Sequence, residues 1–471
     1  MAFSKPIIPI LNAWMKIVGP LLIISAVIFI RIGRAFEYPI PWSDETSFIA
    51  QAYSLYTTGS LFNYGLNPER ALMWMPPGYM VLLAATYKIL GYSFDISRWV
   101  SSLFYIAAYI VTLKLAYKIA QGRSLLFLTF ITTFCFMSPY GLAISNIARM
   151  ESLYIFLFSL SSLCYLNGYR LAGLSLALIA ATVHFNAFYF LLPYTAYALH
   201  SVIFRKKITF HLSELAAASV SVSILALYLI LIFNNLHGFI EDMQFQFGWK
   251  SLSRAEDTTP LLLISISLIF ALIVLAFINK RNADPIVIAC FGVAHILLKL
   301  NGYNMWYEFS LCTGILLIIF SLAMSVSHDK RPRINQLLRF AVIALTPVLI
   351  YFANHPTRYF SELQKQGLDL STHFLERGTI EEIKSQLRTL PANSQITFGY
   401  SGVEPFFFEE MSKAGIQWQI PTYSPTQKDP LRKIDYRIFC DSPMFPSYVQ
   451  LFDEEAYKRK GLFNGCKIIK I

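Results

Sequence analysis

The sequence predicts a polytopic all-α membrane protein with about eleven transmembrane helices. A long first external loop carries interfacial helices, and a small α/β domain follows at the C-terminal end. Three observations predict this class. The chain of 471 residues is 55% apolar and only 14% charged, where soluble domains carry about a quarter charged residues. Apolar runs of roughly 18 residues or more recur with scarcely a charge inside them. The Lys and Arg gather in short clusters between those runs, as cytoplasmic loops do. The same scatter argues against nucleic acid as the partner of the net charge of +11, because it forms no basic stripe with interleaved aromatics.

Taken in order, the first run, 15–34, comes after Lys5 and shows no small-residue cleavage site behind it, so it is expected to stay as an anchor. The loop 35–96 then holds two amphipathic stretches, 44–57 and 77–91, of the kind that lie in the interface plane. Further runs follow at 97–120, 124–141, 150–167, 171–184, 187–204, 213–236, 260–279, 285–301, 305–326 and 336–353. The stretch 77–91 decides the side of everything after it. If it lies flat and the N-terminus is inside, Lys114/Lys118/Arg123, Arg205/Lys206/Lys207, Lys280/Arg281 and Lys330/Arg331/Arg333 are all cytoplasmic. If it spans, the last three clusters move outside, against the positive-inside bias. The expected topology is therefore multi-pass, with the N-terminus cytoplasmic and 354–471 extracytoplasmic.

Composition shifts at 354, which divides the chain into a transmembrane domain, 1–353, and a C-terminal domain, 354–471. In the latter, TIEEIKSQLRTLP reads as an amphipathic helix ended by Pro391, and SQITFGY, IDYRIFC and GCKIIKI read as short strands. Of six cysteines, Cys135, Cys164, Cys290 and Cys312 fall in apolar runs and are expected to pack as small apolar groups. Cys440 and Cys466 lie in the polar tail, where an oxidising compartment would let them bridge and a reducing one would leave two thiols. No Cys or His spacing marks a metal site.

Candidate site residues collect at the outer ends of separate runs. Asp44 and Glu45 open the first interfacial stretch. Arg98 begins the second span, and Arg149 begins the fourth with Glu151 two residues on. His184 ends the fifth, while Trp306 and Tyr307 cap the outer ends of the ninth and tenth. Ionisable groups at membrane depth are costly and point to function. Each also has a plainer reading. Ser43 is a natural N-cap that acids in the first turn complement. The arginines fit snorkelling side chains, Glu151 a partner for an Arg, and Trp306 and Tyr307 an aromatic belt.

Three segments, WSDETSFIAQAYSLYTTGSLF, WMPPGYMVLLAATYKILGYSFDISR and NIARMESLYIFLFSLSSLCYL, resemble the GT-C glycosyltransferases. The similarity is greatest to the family 39-like group that includes protein O-mannosyltransferases and lipid A aminoarabinose transferases. It covers the layout of about 1–350 and is most specific over 42–98. The resemblance implies sugar transfer on the extracytoplasmic face of a bacterial inner membrane, from a polyprenyl-phosphate-linked donor to a lipid, glycan or protein acceptor, with inversion. It implies Asp44 as general base, with Glu45 orienting the acceptor or a phosphate-binding Arg. Where aminoarabinose transferases carry Lys before the first Pro of the second interfacial helix, this chain has Met75. Where they carry Arg three residues after the first acid, it has Ser47, and where many relatives end span five in Lys, it has His184. Phosphate contacts are then expected from Arg98, Arg149, Arg70 and His184. No nucleotide is required, and some relatives use a divalent cation while others do not.

Two rival classes share part of this pattern. A transporter or flippase would also place charges in a helical bundle, but at mid-span and with broken helices in two similar halves. A lapsed, non-catalytic relative would act as a binding subunit, against which stand the intact Asp44 and Glu45.

Overall fold

The computed structural model describes residues 7–34, 43–61, 73, 75–119, 124–204, 214–244, 272, 275, 278–279, 282–300, 308–328, 332–354, 377–398, 404–419, 434–440 and 466–470. Helix α1 (Ile7–Arg34) contains the first apolar run, 15–34, and begins before it. The two amphipathic stretches form α2 (Ser43–Thr58) and α3 (Gly78–Leu90), and α3 ends where Gly91 takes a positive φ of 80°, which favours glycine. A bundle follows, made of α4 (Phe94–Ile119), α5 (Ser124–Phe136), α6 (Pro139–Ser145), α7 (Glu151–Leu166), α8 (Arg170–Ala181), α9 (Leu192–Ile203) and α10 (Glu214–Asn234). It continues with α11 (Asp284–Leu300), α12 (Glu308–His328) and α13 (Pro332–Asn354). The expected run 260–279 falls almost entirely outside the described residues.

Among the described residues four helices are long and apolar enough to cross a membrane, or five if the bent pair α5–α6 counts as one span. The bend of 61° has a local cause. Pro139 has no N–H to continue α5, and the Ser138 hydroxyl caps a fresh helix by accepting from Gly141 N–H. Helices α7 and α8, with 16 and 12 residues, are shorter than the roughly 20 residues a crossing takes. The span at 187–204 begins instead as a 3-10 turn, Phe185–Leu191, before α9.

Helix α4 is central, packing against α5, α6 and α7, while α7 continues onto α8 and α8 onto α10. Helices α11 and α12 cross closely because Gly292 and Gly314 face each other. A Cβ on either would sit 2.7 Å from the other's carbonyl oxygen.

The C-terminal stretch forms the expected helix, α14 (Arg377–Leu387), and the three expected strands, β1 (Gln395–Phe398), β3 (Tyr436–Cys440) and β4 (Cys466–Lys470). Among the described residues three further elements appear, a 3-10 turn at Glu404–Phe406, α15 (Phe408–Lys413) and β2 (Gln417–Gln419), which are too short to leave a periodic signal in the sequence. The strand order is β2-β1-β3-β4, with β1 parallel to both neighbours and β4 antiparallel to β3. Its apolar core does not close on itself. Ile380, Phe398, Phe407 and Ile438 share one buried cluster with Ile49, Ala50 and Tyr53 of α2, Phe94 of α4 and Ala148. The Tyr53 and Phe408 rings stack with centroids 5.3 Å apart, the Tyr53 hydroxyl donates to the Phe408 carbonyl, and the Tyr92 hydroxyl donates to the Pro405 carbonyl. The sheet is thus seated on the helix whose first turn contains Asp44.

Candidate active site

Helix α2 begins at Ser43, so Asp44 and Glu45 stand in its first turn. The backbone places Asp44 there, and its side chain lies outside the described residues. Glu45 is fully buried. Arg98, one turn into α4 and equally buried, donates Nε to Glu45 Oε1 at 2.7 Å and Nη2 to Oε2 at 2.8 Å. The Ala148 N–H adds a third donor to Oε1 at 2.8 Å. This bidentate, charge-assisted contact joins α2, α4 and the turn before α7 through one carboxylate. The Phe94 ring lies 4.7 Å from the Arg98 guanidinium carbon.

The second ion pair adjoins the first through consecutive residues. Arg149 follows Ala148, and it donates to Glu151 from Nη2 at 2.9 Å and from Nε at 3.2 Å. The Phe48 ring of α2 stands 5.6 Å from its guanidinium carbon. The Arg149 carbonyl accepts from the Ser101 hydroxyl of α4, and Ser101 in turn bonds the Tyr79 hydroxyl of α3. The first pair is held by a backbone N–H as well as by charge, and such added hydrogen bonds are what keep buried charge tolerable.

The first turn of α3 reaches the third part of the site. Gly78 N–H donates to the Thr182 carbonyl at 2.8 Å, and a Cβ at 78 would stand 2.6 Å from that oxygen, so only glycine allows the approach. Two residues later His184 is buried and caps the 3-10 turn by accepting from Asn186 N–H at Nδ1. In the neutral ring the proton therefore sits on Nε2. The His184 ring meets Tyr154 of α7 edge-on, and the Tyr154 hydroxyl bonds Ser310 at the start of α12.

Of the residues picked out in the sequence, Glu45, Arg98, Arg149 and Glu151 thus come together, with the Asp44 backbone beside them and His184 reached through α3. Arg70, Trp306 and Tyr307 lie outside the described residues. Sequence reasoning missed Tyr79, Ser101, Thr182 and the Ala148 N–H. Ser97, Ser101 and Ser102 were the available signal, as hydroxyls gathered on consecutive turns of α4 beside Arg98. Among the described residues no three His, Cys, Asp or Glu side chains converge to hold a metal ion. Glu45 and Glu151 are each engaged by a guanidinium, so neither is arranged as an open cation ligand.

No protein-family model and no curated protein matches the sequence. Solved structures do. ArnT from Cupriavidus metallidurans, bound to undecaprenyl phosphate, superposes with a TM-score of 0.53 at 10% identity, over 89% of this chain and 92% of that one. The same protein in its apo state gives 0.50 over the same shares. The fold is the GT-C fold. The oligosaccharyltransferase AglB from Archaeoglobus fulgidus, in complex with an inhibitory peptide and a dolichol-phosphate, is more distant, with a TM-score of 0.45 at 10% identity over 95% of this chain and 72% of that one. In the GT-C fold of this chain, Asp44, both ion pairs and the α3–α8 contact all sit at one end of the helical bundle, contributed by the starts of α2, α3, α4 and α7 and the end of α8.

Proposed function

We propose that this protein is a membrane glycosyltransferase that moves a sugar from a polyprenyl-phosphate-linked donor to an acceptor hydroxyl on the extracytoplasmic face. Residues 1–353 form the transmembrane catalytic domain, with 35–96 as its external loop, and 354–471 form an extracytoplasmic domain. The observation that carries the reading is the convergence of two adjoining buried carboxylate–guanidinium pairs beside the α2 start, within a fold shared with ArnT, which was crystallised with undecaprenyl phosphate.

In this reading the acceptor O–H bond breaks and its proton passes to the Asp44 carboxylate. The acceptor oxygen forms a bond to the anomeric carbon as the bond from that carbon to the phosphate oxygen breaks on the opposite side, so the configuration inverts. The negative charge of the departing polyprenyl phosphate is met by the guanidinium groups, with Arg70 and His184 as further contacts. Glu45 takes the second of its two expected roles, holding Arg98 in a fixed plane. Trp306 and Tyr307, which immediately precede α12 in the sequence, together with Glu151 are assigned to the substrate side of the site.

The experiment is a lipid extraction. Cells lacking the protein should accumulate a polyprenyl-phosphate sugar that returns to the parental level when the wild-type chain is restored. The Asp44→Asn chain should restore nothing, because loss of a general base costs about 10²–10⁴-fold. Unchanged polyprenyl lipids in both strains, with the Asp44→Asn protein present in the membrane at the normal level, would sink the proposal.

A further inference from the structure

The six cysteines divide by place. Cys135, Cys164, Cys290 and Cys312 are free thiols within α5, α7, α11 and α12 of the bundle. Cys440 and Cys466 instead end β3 and begin β4, and the ladder makes them direct Cα partners. The 25 residues between them, 441–465, leave many other registers open to a returning strand, so this pairing does not follow from nearness in sequence.

Directly opposed residues of an antiparallel pair have Cα atoms about 4.5–5.5 Å apart, whichever kind of pair they form. That lies inside the range of about 4.4–6.8 Å found across disulfides. Strand alternation adds the facing requirement. The partners Ile438 and Ile468 are two residues from the cysteines, so Cys440 and Cys466 belong to the same face of the ladder as that pair. Ile438 is fully buried, and Ile468 packs on the same cluster that seats the sheet on α2.

From this register we propose that Cys440 and Cys466 are joined by a disulfide in the mature protein. The bond staples β4, an edge strand whose sheet neighbour is β3, at the point where a long connection returns to the sheet. It closes a loop of a length for which cross-linking removes substantial freedom from the unfolded chain. Two thiols lose two protons and two electrons as the S–S bond forms. The electrons pass, through a mixed disulfide, to the disulfide of an extracytoplasmic thiol–disulfide oxidoreductase, which leaves as a dithiol. The inference rests on the reading that puts 354–471 outside the cytoplasm, where such oxidants operate.

The test uses the full-length chain in its own membrane. Cells are quenched in acid, thiols are blocked with N-ethylmaleimide under denaturing conditions, and the purified protein is cut with trypsin without reductant. Cleavage after Arg437, Lys458, Lys460 and Lys467 isolates the cysteines in peptides 438–458 and 461–467. The expected product is one linked species, two hydrogens lighter than the sum of the peptides, which reductant splits. In parallel, an alkaline phosphatase fused after Ile471, active only outside the cytoplasm, should be active. Two maleimide-blocked peptides with an active phosphatase overturn the disulfide and leave the topology standing. Blocked peptides with an inactive phosphatase overturn both. A linked species with an inactive phosphatase would also overturn the mechanism, since the oxidant named here would be absent.

Discussion

Arg98 is the side chain with most depending on it. It meets both oxygens of Glu45 in a fully buried contact, so Arg98→Met should leave a carboxylate with only the Ala148 N–H in an apolar setting. Breaking one partner of a buried pair costs about 3–5 kcal/mol. Arg98→Lys should recover little, because an ammonium cannot span two oxygens in one plane. The double variant Glu45→Gln/Arg98→Met should lose less than the two single losses together, as a coupled pair requires. Thermal midpoints of the four proteins in detergent check this, and additive losses would show that the pair is not a unit. The second pair, Arg149–Glu151, was visible as a two-residue spacing in the sequence. The Glu45–Arg98 pair was not, because 53 residues separate its members and only the fold, in which α2 packs on α3 and α3 on α4, brings them together.

Among the elements, most of the described bundle helices were legible because long apolar runs can satisfy their backbone in lipid in only one way, whereas the break between α5 and α6 was not expected. Helices α2 and α3 were legible from amphipathic pattern, with Pro77 just before α3 and Gly91 at its end. Closure of α3 onto α8 was not legible, since it depends on one backbone hydrogen bond and one missing Cβ. That contact makes a sharp prediction. Gly78→Ala should push α3 away from Thr182, and the folded yield of monodisperse protein should fall well below that of the parent. Normal yield with an unchanged chromatographic profile would show that α3 can shift at no cost. The C-terminal sheet supplies a second prediction. Two hydrogen bonds from Arg388 on the helix α14 side hold the Glu410 carboxyl of α15 below the usual carboxylate range. With a folded value below the unfolded value of about 4.3, this pair stabilises fully above that pH and is lost as pH falls through the folded value. Hydrogen exchange over 380–411 should therefore separate wild type from Glu410→Gln at about pH 6 and scarcely at all near pH 2–3. An equal difference at both would remove the pair as its source.

For the whole molecule, the proposed reaction on the extracytoplasmic face depends on the expected topology. Single cysteines at Thr58 and Lys428, in a chain lacking its native cysteines, should react with a membrane-impermeant maleimide on intact spheroplasts. One at Lys206 should react only after the membrane is opened. Labelling at Thr58 with protection at Lys428 would mean an odd error in the number of crossings. Charge bias supplied this expectation, and helix length does not replace it, because α7, α8 and α11 are shorter than a straight crossing while α5 breaks at Ser138.

The seat of the sheet on α2 has a consequence in time. Tyr53 and its partner Phe408 are 355 positions apart. At a synthesis rate of about 5–20 residues per second, the ribosome delivers the second roughly 20–70 s after the first. Throughout that interval the buried faces of Ile49, Ala50 and Tyr53 have no sheet to cover them. A nascent chain stalled before residue 404 should therefore be cut by protease within 43–58, and a finished chain should resist. The helix start bearing Asp44 would then be among the last parts of the protein to settle, although it is among the first to be made.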